Sequence, residues 1–388
     1  MKIGLVCPYN IALGGGVQEQ VKAMQTELAR RGHEVIMLTP QPRVPYVDDG
    51  RQVIFLGSVA DVKNPLGTVS PVSVSVLTDE IDSVLEREQF DLLHFHEPWV
   101  PVLSRQILNR SNTVNVATFH AMLPDTRMAQ TVGKVFTPYT KPMLRHIDAF
   151  AAVSEGAAQY LLGLADVPVE IIPNGIDLKH YRRRAAPGPV AGHDLKTILH
   201  IGRLENRKGV KYLIQAFAHL QARQPNIRLQ IAGAGPDREK LEQEVRELGA
   251  QHVEFLGYVD DATKIRLLHE ADLFCSAAIY GESFGVVLLE AMAAGLVTVA
   301  GDNPGYESVM QGFGRLSLVN PKDTPQFAHR LELLLLDEDL RGLWQKWAKD
   351  YVRQFDYVKI VDRYEALYQT AIANAKRSIA HEDRSGAG

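Results

Sequence analysis

Short runs of β-branched and aliphatic residues alternate with longer segments of helical period along most of the chain, and this alternation stops once and restarts. A strand, a helix and a second strand in that order return the chain in one direction, so repeated units build a parallel sheet with helices on its faces. The first half predicts strands over Lys2–Cys7, Glu34–Thr39, Asp91–Phe95, Thr113–Phe119, Ala149–Val153 and Val169–Ile172, with helices over Val17–Arg31, Asp79–Glu88, Lys134–His146 and Glu155–Leu162. Pro173, Asn174, Gly175, Pro187, Gly188 and Pro189 then break the pattern and predict a linker. After it come strands over Thr197–Ile201, Arg228–Ala232, Val253–Leu256, Leu273–Ser276 and Val297–Ala300. The helices between and after these are predicted over Val210–Gln224, Arg238–Leu248, Asp261–His269, Phe284–Ala294, Thr324–Leu336, Glu338–Arg353 and Tyr357–Ala375.

The fold class is therefore α/β, with two doubly wound Rossmann-like domains facing across a cleft at the carboxyl ends of their strands, where such sheets bind ligands. The predicted bounds are residues 1–175 for the first domain and 190–355 for the second. A helix over 356–375 is expected to cross back to the first domain, and 376–388 to form a flexible tail. At 388 residues and 46% hydrophobic content, each domain can have its own core. A formal net charge of -4 excludes a nucleic-acid binder that relies on a broad cationic surface. Cys7 and Cys275 lie in apolar runs of different halves, which favours a reducing, cytoplasmic setting over a disulfide framework. No run reaches the roughly 20 apolar residues needed to span a bilayer, so membrane contact is expected to be peripheral.

The chemistry concentrates at loops that follow predicted strands. In Gly281–Gly295, Glu282 precedes an apolar helix and Glu290 lies about two turns into it, a costly placement that calls for polar partners such as ligand hydroxyls. The helix start near Ser283, Phe284 and Gly285 offers unpaired N–H groups to a phosphate. Eight helical steps put the two glutamates roughly 12 Å apart, beyond the about 5.5 Å of a retaining glycosidase pair and the about 6.5–9.5 Å of an inverting one. Two separate holding roles fit better than one catalytic pair.

Gly14, Gly15 and Gly16 follow the first strand and let backbone approach an anion, without matching a dinucleotide or Walker A fingerprint. The loop Gly202–Gly209 carries Arg203, Arg207 and Lys208, of which Arg203 and Lys208 could converge on a diphosphate. His94, His96 and His120 end neighbouring strands, so a zinc hydrolase is one alternative, against the commoner case of structural histidines.

Together these residues resemble a retaining glycosyltransferase of family 4, with the GT-B fold. The resemblance is carried by Gly15-Gly16-Val17-Gln18, by His120 closing Ala-Thr-Phe-His, by Pro173-Asn174-Gly175-Ile176-Asp177, by Gly202-Arg203 with Arg207-Lys208-Gly209, and by Gly281–Gly295. Val6-Cys7-Pro8-Tyr9, His96-Glu97-Pro98 and Val259–Lys264 are most similar to the phosphatidylinositol mannosyltransferases within that family.

The resemblance implies that Arg203 and Lys208 hold a nucleotide diphosphate, Glu290 the ribose, Glu282 the donor sugar and Lys264 the base edge. It further implies that Ser283, Phe284 and Gly285 meet the phosphates, that Gly15 and Gly16 approach the donor, and that His120 lies near the reacting carbon. Tyr9 and Gln18 match acceptor-side residues. The activity implied is transfer of a hexose, mannose first, from GDP-mannose or a similar donor to a lipid or glycan hydroxyl, with retention and without a cofactor or required metal. Acidic residues Asp79, Glu80, Asp82, Glu86 and Glu88 stand where those relatives carry a cationic cluster, and would repel anionic membrane. The alternatives are a phosphorylase or nucleotide-sugar epimerase on the same scaffold, or a non-catalytic sugar-binding protein.

Overall fold

The computed structural model describes residues 1–63, 69–100, 102–122, 137–182 and 195–385, with side chains at 62–63, 69–71 and 378–385 left out. The chain divides into two compact units. Unit 1 is Met1–Gly175 with Tyr357–Gly388, and unit 2 is Ile176–Asp356. The predicted linker residues Pro187, Gly188 and Pro189 lie outside the described residues, as does the start of the helix predicted from Lys134.

Unit 1 holds an eight-stranded sheet in the order β4-β3-β2-β1-β5-β6-β7-β8. The strands are β1 Lys2–Val6, β2 Glu34–Gln41, β3 Val53–Lys63, β4 Val69–Ser75, β5 Leu92–His96, β6 Val114–Phe119, β7 Ala149–Ala152 and β8 Val169–Ile171. All pair in parallel except β4, which runs antiparallel to β3 at the edge. The sequence pattern predicts neither β3 nor β4. Pro71, paired opposite Asp61, argues against a strand by sequence, yet an edge strand tolerates a residue without an N–H. Ile3, Leu5, Val6 and Cys7 are fully buried, as befits a central strand covered on both faces.

The order reverses at β1, which pairs with β2 on one side and β5 on the other. Carboxyl-end loops part at such a reversal and leave a crevice. The Gly14–Gly16 loop follows β1 there, Glu97 follows β5 and His120 follows β6.

The terminal helix Tyr357–Ser385 belongs to unit 1 and runs beyond residue 375, where the sequence pattern ends it. Its Ile360, Val361, Tyr364, Tyr368 and Ala371 fall on one helical face and join the core of Ile3, Leu5, Met24 and Leu28. Burying each large apolar side chain contributes on the order of 1.5–3 kcal/mol. Arg31 adds polar anchorage, reaching Asp362 at 2.7 Å, the Val358 carbonyl at 2.6 Å and Glu365.

Unit 2 holds a six-stranded, all-parallel sheet in the order β11-β10-β9-β12-β13-β14. Its strands are β9 Lys196–Ile201, β10 Ile227–Ala232, β11 Val253–Gly257, β12 Leu273–Ser276, β13 Thr298–Gly301 and β14 Leu318–Val319. The reversal lies between β9 and β12, so the loops Gly202–Gly209 and Ala277–Gly285 flank its crevice. Gly209 is required where the first loop turns into the helix Val210–Gln221. Its φ is +65°, and a Cβ there would lie 2.0 Å from the Ala277 carbonyl oxygen.

Candidate functional site

In unit 2 the loop after β9 and the turn before the helix Val286–Ala293 are joined by charge. Arg203 pairs with Glu205 Oε1 at 2.6 Å, and Arg207 Nε donates to Glu205 Oε2 at 3.0 Å. Arg207 Nη1 and Lys208 Nζ then meet the same oxygen, Glu282 Oε1, each at 2.6 Å. Burial disfavours the Arg207 charge, but the Glu282 and Glu205 carboxylates prevail and raise its pKa. Three cations against two acids leave an excess of positive charge on the cluster, which suits an anion.

This differs from the predicted picture in two ways. Arg207, given no role by the sequence pattern, stands at the centre of the cluster. Arg203, with a side chain 52% exposed, and Lys208, at 14%, pair with different glutamates at opposite ends of the charge chain. Glu282 is held by protein cations.

The helix also starts later than predicted. It begins at Val286 after Gly285, whose φ of +112° is left-handed and whose hydrogen-only α-carbon lets the turn pack on Tyr306. Ser283 and Phe284 therefore precede the helix. Phe284 and Gly285 are buried, and the Phe284 ring stacks edge-on to Phe355 with centroids 5.9 Å apart. Phe284 thus supports the turn from within the core and offers no side-chain surface to a phosphate.

Glu290 is the fifth residue of that helix, little more than one turn along and not the two turns that the sequence predicts. Its Oε1 accepts from the Tyr181 hydroxyl at 2.8 Å and from Lys264 Nζ at 2.9 Å. Lys264 Nζ also reaches Tyr181 Oη at 3.0 Å and Asp261 Oδ1 at 3.0 Å. Burial works against the Lys264 charge, and the Glu290 carboxylate outweighs it and keeps the ammonium protonated. The partners that this half-buried acid demands are supplied by the protein on that oxygen, and Lys264 joins Glu290 instead of standing apart from it. Tyr181 escaped the sequence pattern altogether; its one signal was its place four residues after Pro173–Asp177.

In unit 1, Gly15 is the extended N-cap of the helix Gly16–Arg30, and Gly14 and Gly16 are exposed. A Cβ on Gly15 would sit 2.3 Å from Gln18 Oε1, so the loop folds down on Gln18, itself 7% exposed. Tyr9 is half-buried beyond the end of β1, bridged to Val72, and its carbonyl accepts from Thr39 Oγ1 at 2.9 Å.

His120 follows β6 and is 7% exposed. Its Nε2 lies 3.0 Å from His96 Nδ1, and a bond to Asn174 opposes the burial that pushes its pKa down to about 4. The ring is therefore neutral and held within the unit. Glu97, with a φ of +53°, turns its Oε2 to accept the backbone N–H of His120 at 2.9 Å and of Ala121 at 2.7 Å. Burial pushes the Glu97 carboxyl up to about 7 despite those two bonds.

His94 is structural. Its two ring nitrogens lie 2.7 Å from Tyr368 Oη and 2.7 Å from Thr118 Oγ1. The three histidines thus do not turn their nitrogens toward a common point, and no metal-ligand cluster occurs among the described residues.

The acids of the helix Thr78–Glu88 are partly paired, Asp82 with Arg110 at 3.2 Å and Glu88 with Lys2 at 2.8 Å. Among the described residues no helix is long and apolar enough to cross a membrane.

Family comparison agrees with this architecture unit by unit. The family described as Glycosyltransferase Family 4 matches residues 14–180, and Glycosyl transferases group 1 matches residues 184–351. The chain is 33% identical to a phosphatidyl-myo-inositol mannosyltransferase of Mycolicibacterium smegmatis, over 95% of this chain and 94% of that one. It is 34% identical to the protein of that name in Mycobacterium tuberculosis, over 98% of this chain and 100% of that one. The fold matches sucrose-phosphate synthase from Thermosynechococcus elongatus with a TM-score of 0.75 at 22% identity, covering 96% of this chain and 99% of that one. Anabaena HepE in complex with UDP-glucose matches with a TM-score of 0.73 at 19% identity, covering 97% and 100%. With a family match on each unit and full-length relatives above 30% identity, the chain belongs to glycosyltransferase family 4 and is a glycosyltransferase of the GT-B fold.

Proposed function

We propose that this enzyme transfers mannose from GDP-mannose to a hydroxyl of a lipid or glycan acceptor, with retention at the anomeric carbon and without a metal. The observation that carries this reading is the cationic excess of the Arg203–Glu205–Arg207–Glu282–Lys208 cluster at the crevice of unit 2. Arg203 and Lys208 hold the diphosphate, with the turn Ser283–Gly285 and the helix start behind it contributing dipole. Glu282 receives the sugar hydroxyls and Glu290 the ribose, while Lys264 lies toward the base. Unit 1 contributes Gly15 and Gly16 to the donor side, Tyr9 and Gln18 to the acceptor, and His120 near the reacting carbon.

In the transfer, the bond between the anomeric carbon and the phosphate oxygen breaks while the acceptor oxygen bonds to that carbon from the same face. The acceptor proton passes to the departing phosphate. Cations fixed before the reaction stabilise the charge that grows on the leaving group, and removing one such group costs about 10²–10³ in rate. The names of the full-length relatives support mannose and a lipid acceptor. The acidic helix Thr78–Glu88 argues against docking that face on anionic lipid. We place the enzyme in the cytoplasm, with any membrane contact peripheral.

Thermal-shift measurement with GDP, GDP-mannose, UDP and UDP-glucose tests the donor. At 100 times its Kd a ligand adds about 2.7 kcal/mol to the stability of the folded state. GDP compounds are expected to raise the melting temperature most; a larger rise with the uridine pair would overturn the guanine assignment, and no rise with any of the four would overturn the site.

A further inference from the structure

Tyr181 enters no motif that marks the family resemblance, yet it is 6% exposed and its hydroxyl ends against the carboxylate at the heart of unit 2. The chain delivers it there by construction. Asp177 caps the short helix Leu178–Tyr181, its Oδ1 accepting from the N–H of Lys179 at 2.9 Å and of His180 at 3.3 Å. Two ties then bind this helix to the helix Asp261–Glu270: His180 Nε2 bonds Asp261 Oδ2, and His269 Nε2 donates to the Tyr181 carbonyl at 2.8 Å. Lys264 of that same helix lies over the Tyr181 ring, 5.4 Å from its centroid. Phenol and ammonium are thereby fixed relative to one another before either meets Glu290.

Both donors fall on one oxygen of Glu290. Oε1 receives the Tyr181 hydroxyl and Lys264 Nζ, while Oε2 takes no protein hydrogen bond among the described residues and is not sealed from solvent. A carboxylate offers about four lone-pair sites, two on each oxygen. Two donors on Oε1 fix the plane of the group and leave both sites of Oε2 open in a known direction. Removing the phenol hydroxyl would leave Lys264 alone on Oε1, free to swing the carboxylate about its axis.

We propose that Tyr181 is a positioning residue for nucleotide recognition: its hydroxyl, together with Lys264, pins Glu290 Oε1 so that Oε2 is presented to a ribose hydroxyl of the nucleoside diphosphate. The inference rests on the reading of Glu290 as the ribose holder. It gives the Asn-Gly-Ile-Asp turn a task, since that turn starts the helix that carries the phenol.

The test is calorimetric titration of the full chain with GDP and with 2′,3′-dideoxy-GDP, using wild type, Tyr181→Phe, Glu290→Gln and the double variant. Tyr181→Phe keeps the buried ring and the Lys264–Glu290 pair, and its melting temperature confirms folding. Tyr181→Phe is expected to weaken GDP about tenfold, the scale of one charge-assisted hydrogen bond, and to leave the dideoxy analogue unchanged. The double variant is expected to bind GDP no more weakly than Glu290→Gln alone. Should Glu290→Gln distinguish the two ligands while Tyr181→Phe binds both like wild type, the positioning role is overturned and the ribose reading stands. Equal weakening of both ligands by Tyr181→Phe also overturns it, as a general loss of pocket structure. If Glu290→Gln fails to distinguish the ligands, the ribose reading itself is wrong and this inference falls with it.

Discussion

Glu97→Gln should stabilise unit 1 strongly at alkaline pH and much less near pH 5. Glu97 is 3% exposed, and burial lifts its carboxyl from an ordinary 4.5 to about 7. Between those values the folded chain keeps a proton that the unfolded chain has released, so stability falls as pH rises through that window and is level above it. At about 1.36 kcal/mol per pKa unit, the whole interval is worth on the order of 3 kcal/mol. Glutamine retains an oxygen for the N–H groups of His120 and Ala121 but carries no charge to bury. Tyr9, whose own ionisation is disfavoured by burial and by Glu97, stays neutral across the range, and His96 and His120 are held neutral by burial. Hydrogen–deuterium exchange of the slowest amides in β6 reads the difference, because comparing both chains at one pH cancels the intrinsic exchange rate. At pH 8 the variant should exchange more slowly, on the order of a hundredfold, and at pH 5 by only about a few-fold. A ratio that is the same at both pH values, or greater protection in the wild type at pH 8, would refute the reasoning.

The acid side has the opposite sign. Burial lowers His94 to about 3, and His120 and His200 to about 4, so the unfolded chain binds protons below pH 6.5 that the folded chain refuses; the urea midpoint should fall from pH 6.5 toward 4, and a level midpoint there would contradict it. Gly209→Ala puts a Cβ against the Ala277 carbonyl oxygen at a φ of +65° and should destabilise unit 2 by about 3 kcal/mol or more, seen as a lower melting temperature. A loss below about 0.5 kcal/mol would mean that the turn relaxes freely. Lys208→Ala should cut mannosyl transfer by about 10²–10³ while Arg207 keeps Glu282 paired and the unit folded; near-normal turnover would remove Lys208 from the site.

The doubly wound pattern was legible where period and punctuation agreed. The helices Glu155–Leu162, Arg238–Leu248 and Thr324–Leu336 and the strand β12 coincide with their predicted bounds. The edge hairpin β3–β4 was not, because Pro71 obscures one strand and pairing at an edge depends on the neighbour more than on the run itself. β14, two residues long, is too short to carry a period. At the candidate site, Arg203, Lys208 and Glu282 were legible as charges beside loops and Glu290 as an acid within an apolar helix, but their partners were not. Arg207 and Tyr181 become neighbours of the glutamates only through a fold that brings residues 75 and 109 positions apart to hydrogen-bond distance.

Acids in apolar surroundings signal that partners exist without saying whether protein or ligand supplies them, and Glu97, Glu282 and Glu290 meet the need in three ways. Glu97 takes backbone N–H groups, Glu282 two cations, and Glu290 a phenol and an ammonium. The Glu282 arrangement also sets the balance of charge in the cluster. Two like charges roughly 5 Å apart repel by about 3 kcal/mol at an effective dielectric near 20. Arg207 and Lys208, each 2.6 Å from one carboxylate oxygen, are bridged by it, and Glu205 and the Gly281 carbonyl hold Arg207 besides. On the proposed reading, a diphosphate that reached Lys208 would supply the same negative charge from the other side, so Glu282 would keep the cations in place before the donor arrives and turn toward the sugar once it has. Glu282→Ala should then release Lys208 and weaken diphosphate itself, whereas Glu282→Gln, which keeps an acceptor oxygen, should weaken it less. Equal affinity of the two variants for GDP would show that the carboxylate does not organise the cations.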